Sequence, residues 1–366
     1  VKALLHLEAW QAFECHSCGR CCRDSWHIHV EPQARPAILA SQAARRCEKE
    51  GYLPLVVLPD QTALTGRRED GACVFLDGKN LCTIHGELGG SHKPLACQLY
   101  PYTLTATPDG YFASLSFACP SVVAGPAAAK LESNREELLA LLAQRGRSGP
   151  LPERVELWPG QMLDWRQYRE LEPALLAEFD ASDPVTALLD LAVGLLRSPT
   201  RPARVRREEP FEESLLEMIC ASVIALWELP ETPEQRQSFS QAVLLGEPLL
   251  SHRHGIPLPA FAWGPTPSPL MLSVFERYFR NAVEGKALLA GPLLHRLLAL
   301  ACGYALVLYY GEAFRQACGA GEWNLDLLSR AFALVEAELV THTASADELF
   351  TVFGNSLRQA HESESY

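Results

Sequence analysis

Nine of the chain's twelve cysteines fall at positions 15, 18, 21, 22, 47, 73, 82, 97 and 119; only Cys220, Cys302 and Cys318 follow. A stretch this dense in thiols becomes a set of disulfides in an oxidising compartment. Where thiols stay reduced, it becomes a site for metal or redox chemistry. The N-terminal residues show no basic segment followed by an apolar run and a small-residue cleavage site, the pattern of a secretory signal. The expectation is therefore a cytoplasmic protein whose cysteines act as ligands.

The opening run FECHSCGRCC places Cys15, Cys18, Cys21 and Cys22 in the form CxxCxxCC. Two-residue gaps let consecutive thiolates turn back onto one ion or cluster, and Gly19 suits so tight a turn. Runs of this kind hold iron–sulfur clusters, and a CxxC pair also suits tetrahedral zinc. Cys21 and Cys22 are neighbours, so they are expected to point in different directions and serve different sites. With Cys73, Cys82, Cys97 and Cys119 the set reaches eight thiolates, enough for two four-cysteine sites. His16, His27, His29, His85 and His92 could replace some of them. Cys47, in a charged helical stretch, reads as a small buried apolar residue. Cys220, Cys302 and Cys318, in helical regions, read the same way.

The two parts of the chain differ in pattern. The fold class expected is α+β: a small cysteine-rich module with short β-hairpins over residues 1–130, then a mostly helical region over 131–366. One hairpin is predicted from Tyr102–Thr107 and Tyr111–Cys119 about a Pro108-Asp109-Gly110 turn. A second, from Ala72–Asp77 and Asn80–His85, would bring Cys73 and Cys82 towards each other. Ile28–Val30 and Leu55–Leu58 read as strands, and Pro36–Glu50 as a helix. Ser133 to Glu136 has capping-box spacing ahead of a helix that ends at Gly146. Residues 146–160 read as a linker or surface loop. Helices follow near 161–180, 184–197, 211–229, 232–245, 270–289, 292–317, 324–342 and 346–360.

Charge narrows the partners. The chain holds 32 Lys and Arg against 44 Asp and Glu, a net charge of −12. Residues 1–130 are balanced and the helical part carries the whole excess. Such a surface does not displace the counterions of a nucleic acid, so a protein partner or substrate is expected instead. The longest charge-free apolar stretch, Leu297–Gly311, is about 15 residues long, short of a membrane span and suited to a buried helix. There is no GxGxxG after a strand, no P-loop, no GxSxG and no HExxH, the motifs that would mark the common enzyme classes. His252-Arg253-His254 and the basic run Arg201, Arg204, Arg206 and Arg207 read as solvated loop and linker.

FECHSCGRCC, then CVFLDGKNLCTIH, then KPLACQLYPY, then FACP, resembles the CxxCxxCC family of zinc- or iron-chelating proteins, the YkgJ-like cysteine cluster proteins. The positions that carry the likeness are the opening run, Cys73, Phe75, Leu76, Cys82, Ile84, Pro94, Cys97, Tyr100, Pro101 and Cys119. CCRDSWHIHV and CTIHGELGG give a narrower resemblance to the flagellin lysine-N-methylase branch. That branch spaces its opening cysteines more widely, and Gln98 stands here where it has an Arg.

The first expectation of function is an iron–sulfur protein, with one or two clusters of the 4Fe–4S type, or a zinc protein, on Cys15, Cys18, Cys21, Cys22, Cys73, Cys82, Cys97 and Cys119. The narrower resemblance implies methylation of protein lysines with S-adenosylmethionine, in a pocket other than a doubly wound domain; no catalytic residue is assigned. The remaining alternative is a structural zinc module for protein interaction.

Overall fold

The computed structural model describes residues 4–24, 26–125, 130–146, 153–205, 211–228, 232–251, 253–261, 267–337, 339 and 343–363. His252, Arg206, Arg207 and residues 147–152 of the expected linker lie outside them. The chain forms two compact units, residues 1–104 with 125–149 and residues 105–124 with 150–366. Small sheets of two or three strands accompany a predominance of helix, so the fold is α+β.

The first unit is built of short elements. A three-stranded antiparallel sheet sets Ala63–Thr65 between His29–Val30 and Leu55–Val57. Against it pack Val30, Ile38, Ala43, Cys47, Leu55, Ala63, Val74, Phe75 and Ile84, all buried. The helix expected over residues 36–50 is two helices, Arg35–Ala40 and Gln42–Lys49. Ser41 separates them because its hydroxyl donates to the Ile38 carbonyl, closing the first, and accepts from the Ala44 amide, opening the second. An N-cap serine satisfies an otherwise orphaned amide, which favours starting a new helix over continuing the old one.

The hairpin expected over residues 72–85 is not formed as paired strands. Only single bridges join Arg67 to Cys73 and Leu76 to Cys82. The Asp77 carboxylate accepts from the amides of Lys79 and Leu81, and Asn80 adopts a left-handed φ of 62°. This side-chain-to-backbone bonding replaces the ladder, and the chain then enters helix Thr83–Leu88. Nor does the capping box at Ser133 form. Leu131–Asn134 is a 3₁₀ turn, Ser133 donates to the Lys130 carbonyl, and Asn134 is the N-cap of helix Arg135–Arg145.

The second unit is organised on helix Leu293–Ala317, 25 residues long. It is long and apolar enough to cross a membrane, and 83% of its most apolar window is buried inside the protein. Helices Pro184–Arg197, Phe211–Glu228, Leu325–Glu336 and Thr343–Ser363 pack round it. Each large apolar side chain buried this way contributes roughly 1.5–3 kcal/mol relative to exposure. Residues 154–164, partly within the expected linker, instead form a hairpin of Arg154–Trp158 and Gln161–Asp164. Val155, Leu157 and Leu163 are its buried positions. The next helix consequently starts at Trp165 rather than 161, with a capping box between Asp164 and Gln167.

Two close approaches hold this packing. A Cβ on Gly194 would lie 2.1 Å from the Ala203 carbonyl oxygen. A Cβ on Gly354 would lie 2.5 Å from the His295 ring. Gly194→Ala is expected to cost about 1–3 kcal/mol through overpacking against backbone, seen as a lower thermal midpoint in circular dichroism. Burial holds the His295 imidazole below its usual range, against the opposing pull of Glu156 and Asp347. The folded chain therefore binds fewer protons than the unfolded chain in the window below the unfolded value. Stability contributed by neutral His295 is complete above about pH 6.5 and lost as pH falls through it. The melting midpoint should fall below that pH, and His295→Leu should remove this component of the fall.

Candidate metal centre

The opening run ends in a single helical turn, Arg20–Arg23, carrying Cys21 and Cys22. Gly19 turns the chain into it with a φ of 71°, and a Cβ there would lie 2.9 Å from Cβ of Asn80. Glycine is thus required twice, for its backbone and for contact with the next cysteine-bearing loop. Arg23 donates to Asn80 Oδ1 at 2.6 Å, closing the same contact. The Cys73 amide donates to the Cys22 carbonyl at 2.7 Å, which ties the loops a second time. Cys82 is the N-cap of helix Thr83–Leu88, and Cys97 sits within helix Leu95–Leu99.

These elements bring Cys73 and Cys82 near Cys22, and Cys73, Cys82 and Cys21 near Cys97. A hydrogen bond from Cys22 draws the Cys21 thiol down to about 7, with Lys93 assisting. The same bond, burial and the nearby Cys73 and Cys82 push Cys22 up. Burial pushes Cys97 up to about 12, again with Cys73, Cys82 and Cys21 adding to the rise and Lys93 opposing it. Burial likewise raises Cys73.

The other cysteines separate clearly. Cys15 and Cys18 are exposed on the opening loop. Cys47 is wholly buried and its thiol donates to the Val74 carbonyl, a packing role. Cys220 and Cys302 are buried in the helical unit with sulfurs 3.5 Å apart. Cys318, expected to be buried, is exposed at the end of the long helix, where Arg330 contacts its sulfur. His16, His27, His29, His85 and His92 are all exposed.

Cys119 belongs to the second unit. The strand before it, Gly110–Leu115, ends where side chains replace a partner strand. The Asn281 carboxamide accepts from the Leu115 amide and donates to its carbonyl, both at 2.9 Å. Glu336 accepts from the Ser116 hydroxyl at 2.6 Å and from the amides of Phe117 and Ala118 at 3.0 and 2.9 Å. Arg277 donates to the Val122 and Val123 carbonyls beyond the cysteine. Burial pushes the Glu336 carboxyl up, with the three donors opposing.

Several features escaped the sequence reading. Arg67 and Arg68, next to each other ahead of Cys73, donate to the backbone of both cysteine loops. Their signal in the sequence was a pair of arginines beside a cysteine in an otherwise charge-balanced module. The hydroxyl of Thr65 is buried beside Cys73, and the indole N–H of Trp26 is buried with no acceptor.

The donor set fits a soft cation. All the cysteines are free, and each one that ionises raises the cost of ionising its neighbours unless positive charge is present. Thiolates suit zinc and iron–sulfur clusters alike. Among the described residues, no three Cys, His, Asp or Glu side chains are already arranged about a common ion position.

This is a thiol centre held by short loops on a small sheet. Residues 14–120, under a third of the chain, match the model of the CxxCxxCC family, described as "Putative zinc- or iron-chelating domain". The likeness to that family read from the four cysteine segments is thereby supported over almost the same residues. No curated protein and no solved structure matches the chain, so the narrower likeness to flagellin lysine-N-methylase is unconfirmed.

Glu336→Gln should lower stability by about 1–3 kcal/mol, the scale for a buried hydrogen-bonding group left mismatched. Thermal unfolding checks this, and faster alkylation of Cys119 in the folded protein is the local sign.

Proposed function

We propose that the N-terminal module binds metal through its cysteines, as an iron–sulfur cluster ahead of zinc. The observation that carries this reading is that the backbone ties Cys22 to Cys73 and that Cys73 and Cys82 pack on one small core, all as free thiols. Four thiolates close either a structural zinc site or a 4Fe–4S cluster, and the eight cysteines of the module other than Cys47 are enough for two such sites. When bound, an iron–sulfur cluster supplies electron transfer at a potential set by burial and by hydrogen bonds to sulfur. The chain's own residues hold the thiols in place and shield Cys97. Cys15, Cys18 and Cys119 complete the proposed ligand set. The helical unit then serves recognition of a protein partner or substrate.

The test is purification of the full chain without oxygen, with iron, zinc and acid-labile sulfide counted per chain. About four irons and four sulfides, or a multiple, are expected, with a brown colour. Zinc without sulfide would move the reading to a structural module. Cys73→Ser and Cys82→Ser should each lose most of the metal, whereas Cys47→Ala and Cys220→Ala should keep it. The same count on Cys15→Ala, Cys18→Ala and Cys119→Ala decides their membership.

A further inference from the structure

Arg67 stands at the junction of two cysteine-bearing segments. Its backbone pairs with Cys73 in a single antiparallel bridge. Its side chain reaches the other way, to the residues that follow the opening run. Nη1 donates to the Asp24 carbonyl at 2.6 Å and to the Gly71 carbonyl at 3.1 Å, with a longer contact of 3.5 Å to the Cys22 carbonyl. Nη2 donates to the Trp26 carbonyl. The Cys22 carbonyl thus lies between the Arg67 guanidinium and the Cys73 amide. Arg68 extends the grip to the Val74 and Leu76 carbonyls.

A guanidinium is a rigid fork of five donors, able to hold several carbonyls in fixed directions, whereas a lysine ammonium is a flexible point charge. The acceptors here are neutral carbonyls. No carboxylate among the described residues is within ion-pair distance of Arg67. Its fork is thus taken up by backbone carbonyls of both segments.

We propose that Arg67, which offers a metal no donor atom, is the positioning residue that sets the spacing of Cys22 and Cys73. It does so by clamping the backbone of Cys22, Asp24 and Trp26 against that of Gly71 and Cys73. The inference rests on the metal-binding reading above and adds to it the residue that builds the site.

The experiment compares full-length wild type, Arg67→Lys and Arg67→Ala, purified without oxygen. Each is challenged with a graded series of a metal chelator while released metal and thiolate-to-metal absorbance are followed. Arg67→Lys keeps the charge but not the fork. Both variants should lose metal at about 10- to 100-fold less chelator, the scale for outer residues that orient ligands. Their charge-transfer spectra should also be altered. If Arg67→Lys matches wild type in both, charge alone suffices and the clamp is overturned; it is equally overturned if neither variant differs.

A second readout needs no metal. In metal-stripped protein, hydrogen exchange at the Cys73 amide should be faster in both variants, and unchanged exchange would overturn the clamp. A wild-type chain that holds no metal at all would instead remove the metal-binding reading, leaving amide exchange to decide whether Arg67 holds the loops. Circular dichroism of the helical signal separates either result from global unfolding.

Discussion

Thiols drawn into one place repel as soon as more than one ionises, and this constraint shapes the whole cysteine-rich unit. Two like charges 4 Å apart cost about 4 kcal/mol in surroundings of intermediate polarity. A single hydrogen bond returns only about 0.5–1.5 kcal/mol net. Buried thiols therefore stay protonated unless positive charge is supplied, and the loops that bear them are held by many small contacts. Cys73 bonds to Cys22 through the backbone, Gly19 and Arg23 meet Asn80, and Arg67 and Arg68 collect the carbonyls between. The sheet and its small core serve as the floor for this network.

The helical unit solves a related problem with different means. Around Cys119 the chain leaves its strand and has no sheet partner for its amides. Asn281 and Glu336 accept from those amides, and Arg277 donates to the carbonyls beyond, from helices Pro269–Glu284 and Leu325–Glu336. A carboxylate facing three donors is a strong local restraint, although burial works against its charge. In both units, side chains positioned by packing fix the backbone beside a cysteine, and the cysteine inherits that position.

Much of this was legible because it follows from local pattern. Helix Pro184–Arg197 lies where apolar spacing placed it, with Pro184 in its first turn and Asp183 accepting from Thr186. Leu297–Gly311 proved to be part of a buried helix for the reason its composition suggested. Failures came where side chains competed with regular structure. Ser41 split one helix, the Asp77 carboxylate replaced a hairpin with a turn, and Leu131–Asn134 tightened into a 3₁₀ turn. Such bonds depend on which rotamer the surroundings permit, and periodicity carries no trace of that.

The sequence by itself determined the chemistry. The type of donor, the compact spacing of the opening run and the concentration of cysteine in one stretch all follow from residue identity, and they match a family over residues 14–120. Tertiary structure decided the burial and surroundings of each cysteine. It made Cys47 a wholly buried core residue whose thiol donates to the Val74 carbonyl, and left Cys21, Cys22, Cys73, Cys82 and Cys97 only partly buried. It also made Arg67 important, because a guanidinium acquires its role only from the carbonyls that folding brings round it. Residue type fixes which bonds a side chain can make; only the packed backbone supplies the partners that it makes them with.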